Sequence, residues 1–194
     1  MSRRIGLFGG TFNPVHFGHV RLARQLQQLY SLDEVWMMVS PQNPFKRNHA
    51  LQPDETRLEM VRLALKHEKH IVACDYEFHL ARPSYTWNTL QSLKNDYPDC
   101  SFTLLIGADN WESFHNWYHH EDILKMCQIV IYPRKGSPVD TTKLPSNVKL
   151  ADTKNINISS TNIRQRISQG MDIRRLVPKA VESYIMERQL YKEL

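Results

Sequence analysis

A three-layer α/β/α fold, with a mostly parallel sheet covered by helices on both faces, is predicted by three features of this 194-residue sequence. Short apolar strands alternate with amphipathic helices along almost the whole chain, the pattern of successive βαβ units. The strand segments read as buried on both sides, as parallel strands are. The first strand also closes on a Gly-Gly turn that opens directly into a helix. The length suits one domain, here spanning 1–194, with residues 160–194 forming a C-terminal helical part.

Each element follows from local pattern. Arg4–Phe8 is the first strand, ended by Gly9-Gly10. Val20, Leu22, Ala23, Leu26 and Leu29 give the helix Phe17–Tyr30 its apolar stripe. Glu34–Val39 is the second strand. Pro41, Pro44 and Pro53 mark a long loop over 40–53. Leu58, Val61, Ala64 and Leu65 fit a helix over Asp54–Leu65. Ile71–Cys74 is the third strand, and a loop through Arg82-Pro83-Ser84 leads to a helix over Thr86–Asn95. Phe102–Ile106 forms a strong strand that stops at Gly107. A short helix over Asn110–Phe114 and a second one precede the strand Gln128–Tyr132. Pro133–Pro145 is a polar loop, followed by a short strand at Val148–Leu150, a helix over Ser160–Ser168 and a last helix from Pro178 to Tyr191. Together these elements predict a Rossmann-like α/β arrangement. Ligands of such sheets bind outside the carboxyl ends of the strands. That rule directs attention to Gly9–His19, the loop after Val39, Gly107–Trp117, the loop after Tyr132 and the segment before Ser160.

Composition narrows the class of partner. Hydrophobic residues make up 41% and charged residues 23%, ordinary for a globular chain, and no apolar run approaches the ~20 residues of a membrane helix. The start, Met1-Ser2-Arg3-Arg4, is followed by too short an apolar stretch for a signal peptide. Cys74, Cys100 and Cys127 are odd in number and far apart, so they read as free thiols in a reducing, cytoplasmic setting rather than as a disulfide framework or a zinc knuckle. The formal net charge of +5 favours anionic partners such as phosphates. The basic residues are dispersed in short pairs such as Lys46-Arg47 and Arg174-Arg175, without the basic tract of a nucleic-acid binder.

Four of the seven glycines fall within Gly6–Gly18. Glycines in this turn let the backbone approach a phosphate closely and adopt positive φ, yet neither a Walker A loop nor a G-x-G-x-x-G fingerprint is present. His16 and His19 follow, three residues apart at a helix start, where they can share one face. Free N–H groups and the positive helix end there make a cradle for a polyphosphate. Gly18 between them leaves room for a base or ribose. Surface or core histidines, or a zinc pair, are the alternatives; the zinc reading lacks a third ligand of matching spacing. Far along the chain, Ser159, Ser160 and Thr161 precede a helix that carries Arg164 one turn on. Capping accounts for one hydroxyl. Three in a row with a guanidinium fork also suit an oligophosphate.

Gly9-Gly10-Thr11-Phe12-Asn13-Pro14-Val15-His16-Phe17-Gly18-His19 resembles the signature of the nucleotidyltransferase superfamily with the H-x-G-H motif, and Ile158-Ser159-Ser160-Thr161-Asn162-Ile163-Arg164 resembles its I-S-S-T-x-I-R segment. The middle of the chain is similar to nicotinate-mononucleotide adenylyltransferases. Ser84-Tyr85-Thr86 looks like their S-Y-T segment, and Ile106-Gly107-Ala108-Asp109 with Phe114 and Trp117 looks like their I-G-A-D…F…W segment. Pro44-Phe45-Lys46 stands where that family has a proline-rich loop with a basic residue, and Tyr132-Pro133-Arg134 matches its strand-end arginine.

The resemblance implies an enzyme that joins the AMP part of ATP to nicotinic acid mononucleotide, with Mg²⁺ bound with ATP and no protein metal ligand. It implies no nucleic-acid or membrane partner and specifies no oligomeric state. His16, His19 and Arg164 carry over as catalytic. Gly9, Gly10, Thr11, Phe12, Gly18, Gly107, Asp109, Arg134, Ser159, Ser160 and Thr161 join them in ATP binding. Asn13, Lys46, Tyr85, Thr86 and Trp117 carry over to the acceptor nucleotide. Physically, Trp117 can stack on a pyridine ring, with core packing as its alternative. The helix start at Tyr85-Thr86 can meet a carboxylate, with simple capping by Ser84 or Thr86 as its alternative. Lys46 can close over phosphates or be an ordinary solvated lysine. Asn13 and Asn88 stand where the family more often has Asp. Rival readings are a related transferase for nicotinamide mononucleotide or pantetheine phosphate, and a non-catalytic nucleotide or nucleic-acid binder on the same fold.

Overall fold

The computed structural model describes residues 2–41, 51–154 and 157–192. Six strands form one sheet: β1 (Arg3–Gly10), β2 (Glu34–Val39), β3 (Ile71–Cys74), β4 (Cys100–Gly107), β5 (Gln128–Tyr132) and β6 (Val148–Leu150), in the order β3-β2-β1-β4-β5-β6. Every pairing is parallel, so the expected "mostly parallel" sheet is wholly so among the described residues. Successive side chains of a strand face opposite ways. Ile5 and Leu7 therefore join one hydrophobic cluster and Phe8 the other. The Phe8 face is covered by α1 (Phe17–Leu29), α2 (Asp54–Leu65), α6 (Ser160–Ser168) and α7 (Lys179–Glu187). The Ile5 face is covered by α3 (Thr86–Asp96), α4 (Ala108–Glu112) and α5 (His120–Met126).

Most elements lie where periodicity puts them, and the differences have local causes. β1 and β4 extend beyond the apolar run because backbone pairing, Arg3 to Cys100 and Arg4 to Ser101, needs no apolar side chain. The helix expected at Asn110–Phe114 instead starts at Ala108 and stops at Glu112, and a 3₁₀ turn over Phe114–Asn116 follows. A further 3₁₀ turn at Tyr76–His79 was not foreseen, since single-turn elements are too short to carry a period. The last helix ends at Glu187 rather than at Tyr191, because Gln189 (φ 54°) and Tyr191 (φ 63°) adopt left-handed backbone. Of the loop expected over 40–53, residues 42–50 lie outside the described residues; 51–53 are irregular and deliver the chain to α2.

Candidate functional site

β1 has β2 on one side and β4 on the other, while the chain travels outward in both directions. This is the switch point of the sheet, where a crevice opens beyond the carboxyl ends of the strands. The residues between β1 and α1 lie across it. Gly9 and Gly10 are still strand residues, and among glycines only Gly136 and Gly170 have positive φ. The left-handed position of the turn is Phe12, φ 46°. The expectation that glycine conformation shapes this turn is thus corrected. Phe12 is 2% exposed and packs edge-on against Phe8 at 5.7 Å and against His19 at 5.0 Å, contacts that hold its unusual backbone.

The two imidazoles cap the same helix end reciprocally. His16, the N-cap of α1, accepts at Nδ1 from the His19 backbone N–H, and His19 accepts at Nδ1 from the His16 N–H, each at 3.3 Å. The rings stack with centroids 3.6 Å apart and 16° between planes. Because both Nδ1 atoms accept, the proton of each neutral ring belongs on Nε2, so each ring offers an N–H donor away from the backbone. Burial, with Arg134 next, pushes His16 down to about 3. Burial also holds His19 well below its usual range, with His16 and Arg134 adding to it. The pair is therefore neutral at pH 7: two hydrogen-bond donors rather than two cations.

The late motif docks on this same loop. Ser159 is the N-cap of α6, its hydroxyl accepting from the Asn162 N–H at 3.1 Å. Ser160 donates to the Pro14 carbonyl at 2.9 Å, and Thr161 accepts from Arg164 Nη2 at 3.3 Å. Arg164 Nη1 donates to the Asn13 carbonyl at 2.8 Å. One hydroxyl caps, as expected; Ser160 and the Arg164 guanidinium, which Thr161 also meets, tie the two motifs together across about 150 residues of sequence.

Two cavities meet here. The first, about 430 Å³, lies over the ends of β1 and β4 and is lined by Gly9, Gly10, Thr11, Phe12, His19, Glu77, Ser84, Tyr85, Thr86, Asp109, Trp117, Arg134 and Ser160, among others. The second, about 500 Å³, lies between α1 and the start of α6 and is lined by residues including His16, Gly18, His19, Arg134, Lys154 and Ser159. His19, Tyr132 and Arg134 line both and stand at their junction. Arg134 lies over the Tyr132 ring at 5.2 Å and beside Asp109 at 3.7 Å. A side chain at Gly107 would run into Asp109 and Arg134, which explains a glycine there.

The remaining expected residues divide as follows. Tyr85, Thr86 and Trp117 come together in the first cavity. Tyr85 is the N-cap of α3, and no side chain caps that helix. The buried Ser84 hydroxyl turns to the Glu77 carboxyl rather than to α3, so capping does not account for the S-Y-T segment. Trp117 is half-buried against Phe114, 5.3 Å between centroids, with one side lining the cavity. Asn13, Gly107, Thr161 and Arg164 line neither cavity. Asn13 is buried, its Oδ1 accepting from Tyr191 at 2.7 Å and from the Gln52 N–H at 3.2 Å. Lys46 lies outside the described residues. Cys74, Cys100 and Cys127 are free thiols, and no group of three or more metal-ligating side chains occurs among the described residues.

Sequence reasoning missed three residues that shape the site. Arg57, fully buried, donates to the carbonyls of Thr11 (2.7 Å), Ser40 (3.0 Å) and Gln52 (2.9 Å) and pairs with Asp54 at 2.5 Å. Its spacing to Val61 and Ala64 put it on the buried face of α2, the one available signal. Glu77, 7% exposed, accepts from Thr89 at 3.0 Å and faces the Ser40 and Ser84 hydroxyls; burial pushes its carboxyl up against those hydrogen bonds. The third is Tyr191, which lies on no periodic element.

Comparisons with known proteins agree with this geometry. A cytidylyltransferase-like family model matches residues 7–166. A Bacteroides fragilis protein named "probable nicotinate-nucleotide adenylyltransferase" is 46% identical over 185 residues, covering 95% of this chain and 92% of the relative. One of the same name from Flavobacterium johnsoniae is 40% identical over 192 residues, 98% of this chain and 100% of its own. The solved Plasmodium falciparum nicotinic acid mononucleotide adenylyltransferase, complexed with NaAD, shares the fold at a TM-score of 0.81 with 19% identity, covering 98% of each chain.

Proposed function

We propose, from a chain that belongs to the nicotinate-nucleotide adenylyltransferases within the cytidylyltransferase-like family, that it transfers the adenylyl group of ATP to nicotinic acid mononucleotide, giving deamido-NAD and pyrophosphate in NAD biosynthesis. The observation that carries this reading is the junction of the two cavities, where His19 and Arg134 face both and the helix bearing Arg164 is tied to the same loop.

ATP occupies the second cavity, with its base and ribose beside Gly18 and its phosphates at the junction. Nicotinic acid mononucleotide occupies the first cavity, with its ring on Trp117. Its carboxylate faces the uncapped start of α3, where backbone N–H groups and the helix dipole favour an anion over an amide. The mononucleotide's phosphate is already anionic and needs no base. One of its oxygens attacks the α-phosphorus in line, the bond to the bridging oxygen of the β-phosphate breaks, and pyrophosphate leaves with that electron pair. Catalysis is then alignment and charge stabilisation. The Nε2–H donors of His16 and His19 meet the phosphate oxygens without bringing fixed charge of their own. Arg134 and Arg164 supply the positive charge, and Lys46, outside the described residues, is assigned to the same role by resemblance. The Ser159 and Thr161 hydroxyls and the free backbone N–H groups at the start of α6, that of Ser160 included, meet phosphate oxygens, while the Ser160 hydroxyl keeps the Pro14 carbonyl. Mg²⁺ bound with ATP would neutralise charge on its phosphates, and no side chain of this chain is assigned to hold it. The free thiols support a cytoplasmic setting.

The test is pyrophosphate release from ATP and Mg²⁺ with each of three acceptors. Turnover with nicotinic acid mononucleotide well above that with nicotinamide mononucleotide or pantetheine phosphate is expected. Equal or greater turnover with either rival would reassign the acceptor, and nucleotide binding with no turnover would make the chain a binder.

A further inference from the structure

We infer that Tyr191 is a positioning residue for adenylyl transfer, acting through Asn13 on the loop that carries the paired imidazoles. The inference rests on the function proposed above and adds to it a device outside both signature motifs.

The hydrogen bonds around Asn13 define their own polarity. The Gln52 backbone N–H can only donate, so the atom it meets at 3.2 Å is the amide oxygen of Asn13. The Tyr191 hydroxyl, 2.7 Å from that same oxygen, must then donate as well. Burial pushes the phenol far above its usual range, so it remains a donor across the working pH of any enzyme. Tyr191 is 3% exposed and Asn13 1%, so water does not compete for the bond. Tyr191 also holds a left-handed backbone, φ 63°, which a non-glycine residue keeps where its surroundings fix it.

The Asn13 side chain is anchored at the centre of a short pinned segment. Arg57 holds the Thr11 carbonyl, Arg164 the Asn13 carbonyl and Ser160 the Pro14 carbonyl. His16, the N-cap of α1, follows two residues later. The backbone pins come from α2 and α6, whereas Tyr191 reaches the segment from beyond α7, 178 positions away in sequence. Removing its hydroxyl leaves the ring in place and releases one side of Asn13. A displacement on the order of 1 Å at a reacting centre costs up to about a hundredfold in rate. A loosened rather than dislocated loop should cost about tenfold.

The test is Tyr191→Phe, with wild type as the reference that first establishes turnover. The variant should melt close to wild type and lose about tenfold in kcat, with KM for both substrates within about twofold, since the substrate-lining residues are untouched. Asn13→Ala should be slowed as well, and the Asn13→Ala/Tyr191→Phe double variant should be no slower than Asn13→Ala alone. Asn13→Asp, which keeps an acceptor for both donors, should retain most of the rate. Ile185→Val, which thins the packing of α7 without touching the hydroxyl, should leave kcat unchanged. Backbone amide exchange across Val15–His19 should accelerate in Tyr191→Phe, a readout independent of turnover and therefore of the assigned acceptor. A Tyr191→Phe enzyme with wild-type kcat, additive losses in the double variant, or unchanged exchange across that segment would each overturn the role.

Discussion

His19 combines two tasks that are usually separate: its Nδ1 caps a helix, and its Nε2–H is left to face the junction of the cavities. Removing the ring should therefore affect chemistry far more than folding. His19→Ala is expected to lower kcat on the order of a hundredfold or more, while losing about 1 kcal/mol of stability with the cap; steady-state rates beside thermal melts would check both. The depressed histidine pKa values also have a sign. Their folded values lie below the ordinary value of 6.5, so the stability they contribute is complete above that pH and is lost as pH falls, for His16 towards about 3. For His16 alone the slope approaches about 1.4 kcal/mol per pH unit. His16→Asn should flatten the acid side of the stability profile by about one proton, measured by urea titration between pH 6.5 and 4. The histidines and the α6 hydroxyls were legible in sequence, because each is a residue type repeated at a recognisable element end; the S-Y-T helix start was legible only through resemblance. Arg57 and Glu77 were not. Their value lies in which distant carbonyls or hydroxyls they meet, and a charged side chain inside an apolar stripe carries no mark of its partners.

Elements were legible in proportion to their period. β2, α2, β3, β5, β6 and α6 have the bounds their patterns specify. Beyond the lengthened ends of β1 and β4, the elements that shifted, around Ala108–Asn116 and after Glu187, are a single turn or end in left-handed backbone, where no repeat exists to read. The element that best shows why position outweighs pattern is α2. Its first turn ties the β1 loop, the β2 loop and itself together through Arg57, while Asp54 is held by both Arg57 and Arg82. Replacing Arg57 by Met fills the space and leaves three backbone carbonyls to find other donors. With about 1–3 kcal/mol for each unsatisfied buried group, partly relieved by relaxation, a loss of about 3 kcal/mol or more is expected in urea unfolding. A near-neutral result would mean that those carbonyls are not held by this residue.

Across the whole molecule, the parallel sheet brings the first and sixth βα segments to one crevice, so residues separated by about 150 positions meet over a single loop. The fold class and this meeting were legible because alternation of strands and helices leaves few topologies, and the switch-point rule then places the crevice. That the crevice is two cavities with a shared wall, and that residues assigned by resemblance to ATP, such as Asp109 and Ser160, line the same cavity as Trp117, required coordinates. On the proposed function, adenylyl transfer happens at this shared wall. A crystal structure with a non-hydrolysable ATP analogue and nicotinic acid mononucleotide bound together would show it. Adenine beside Gly18, the pyridine ring on Trp117 and an α-phosphate oxygen about 3 Å from His19 Nε2 are the expected result. An α-phosphate remote from both imidazoles, or both nucleotides in one cavity, would contradict it.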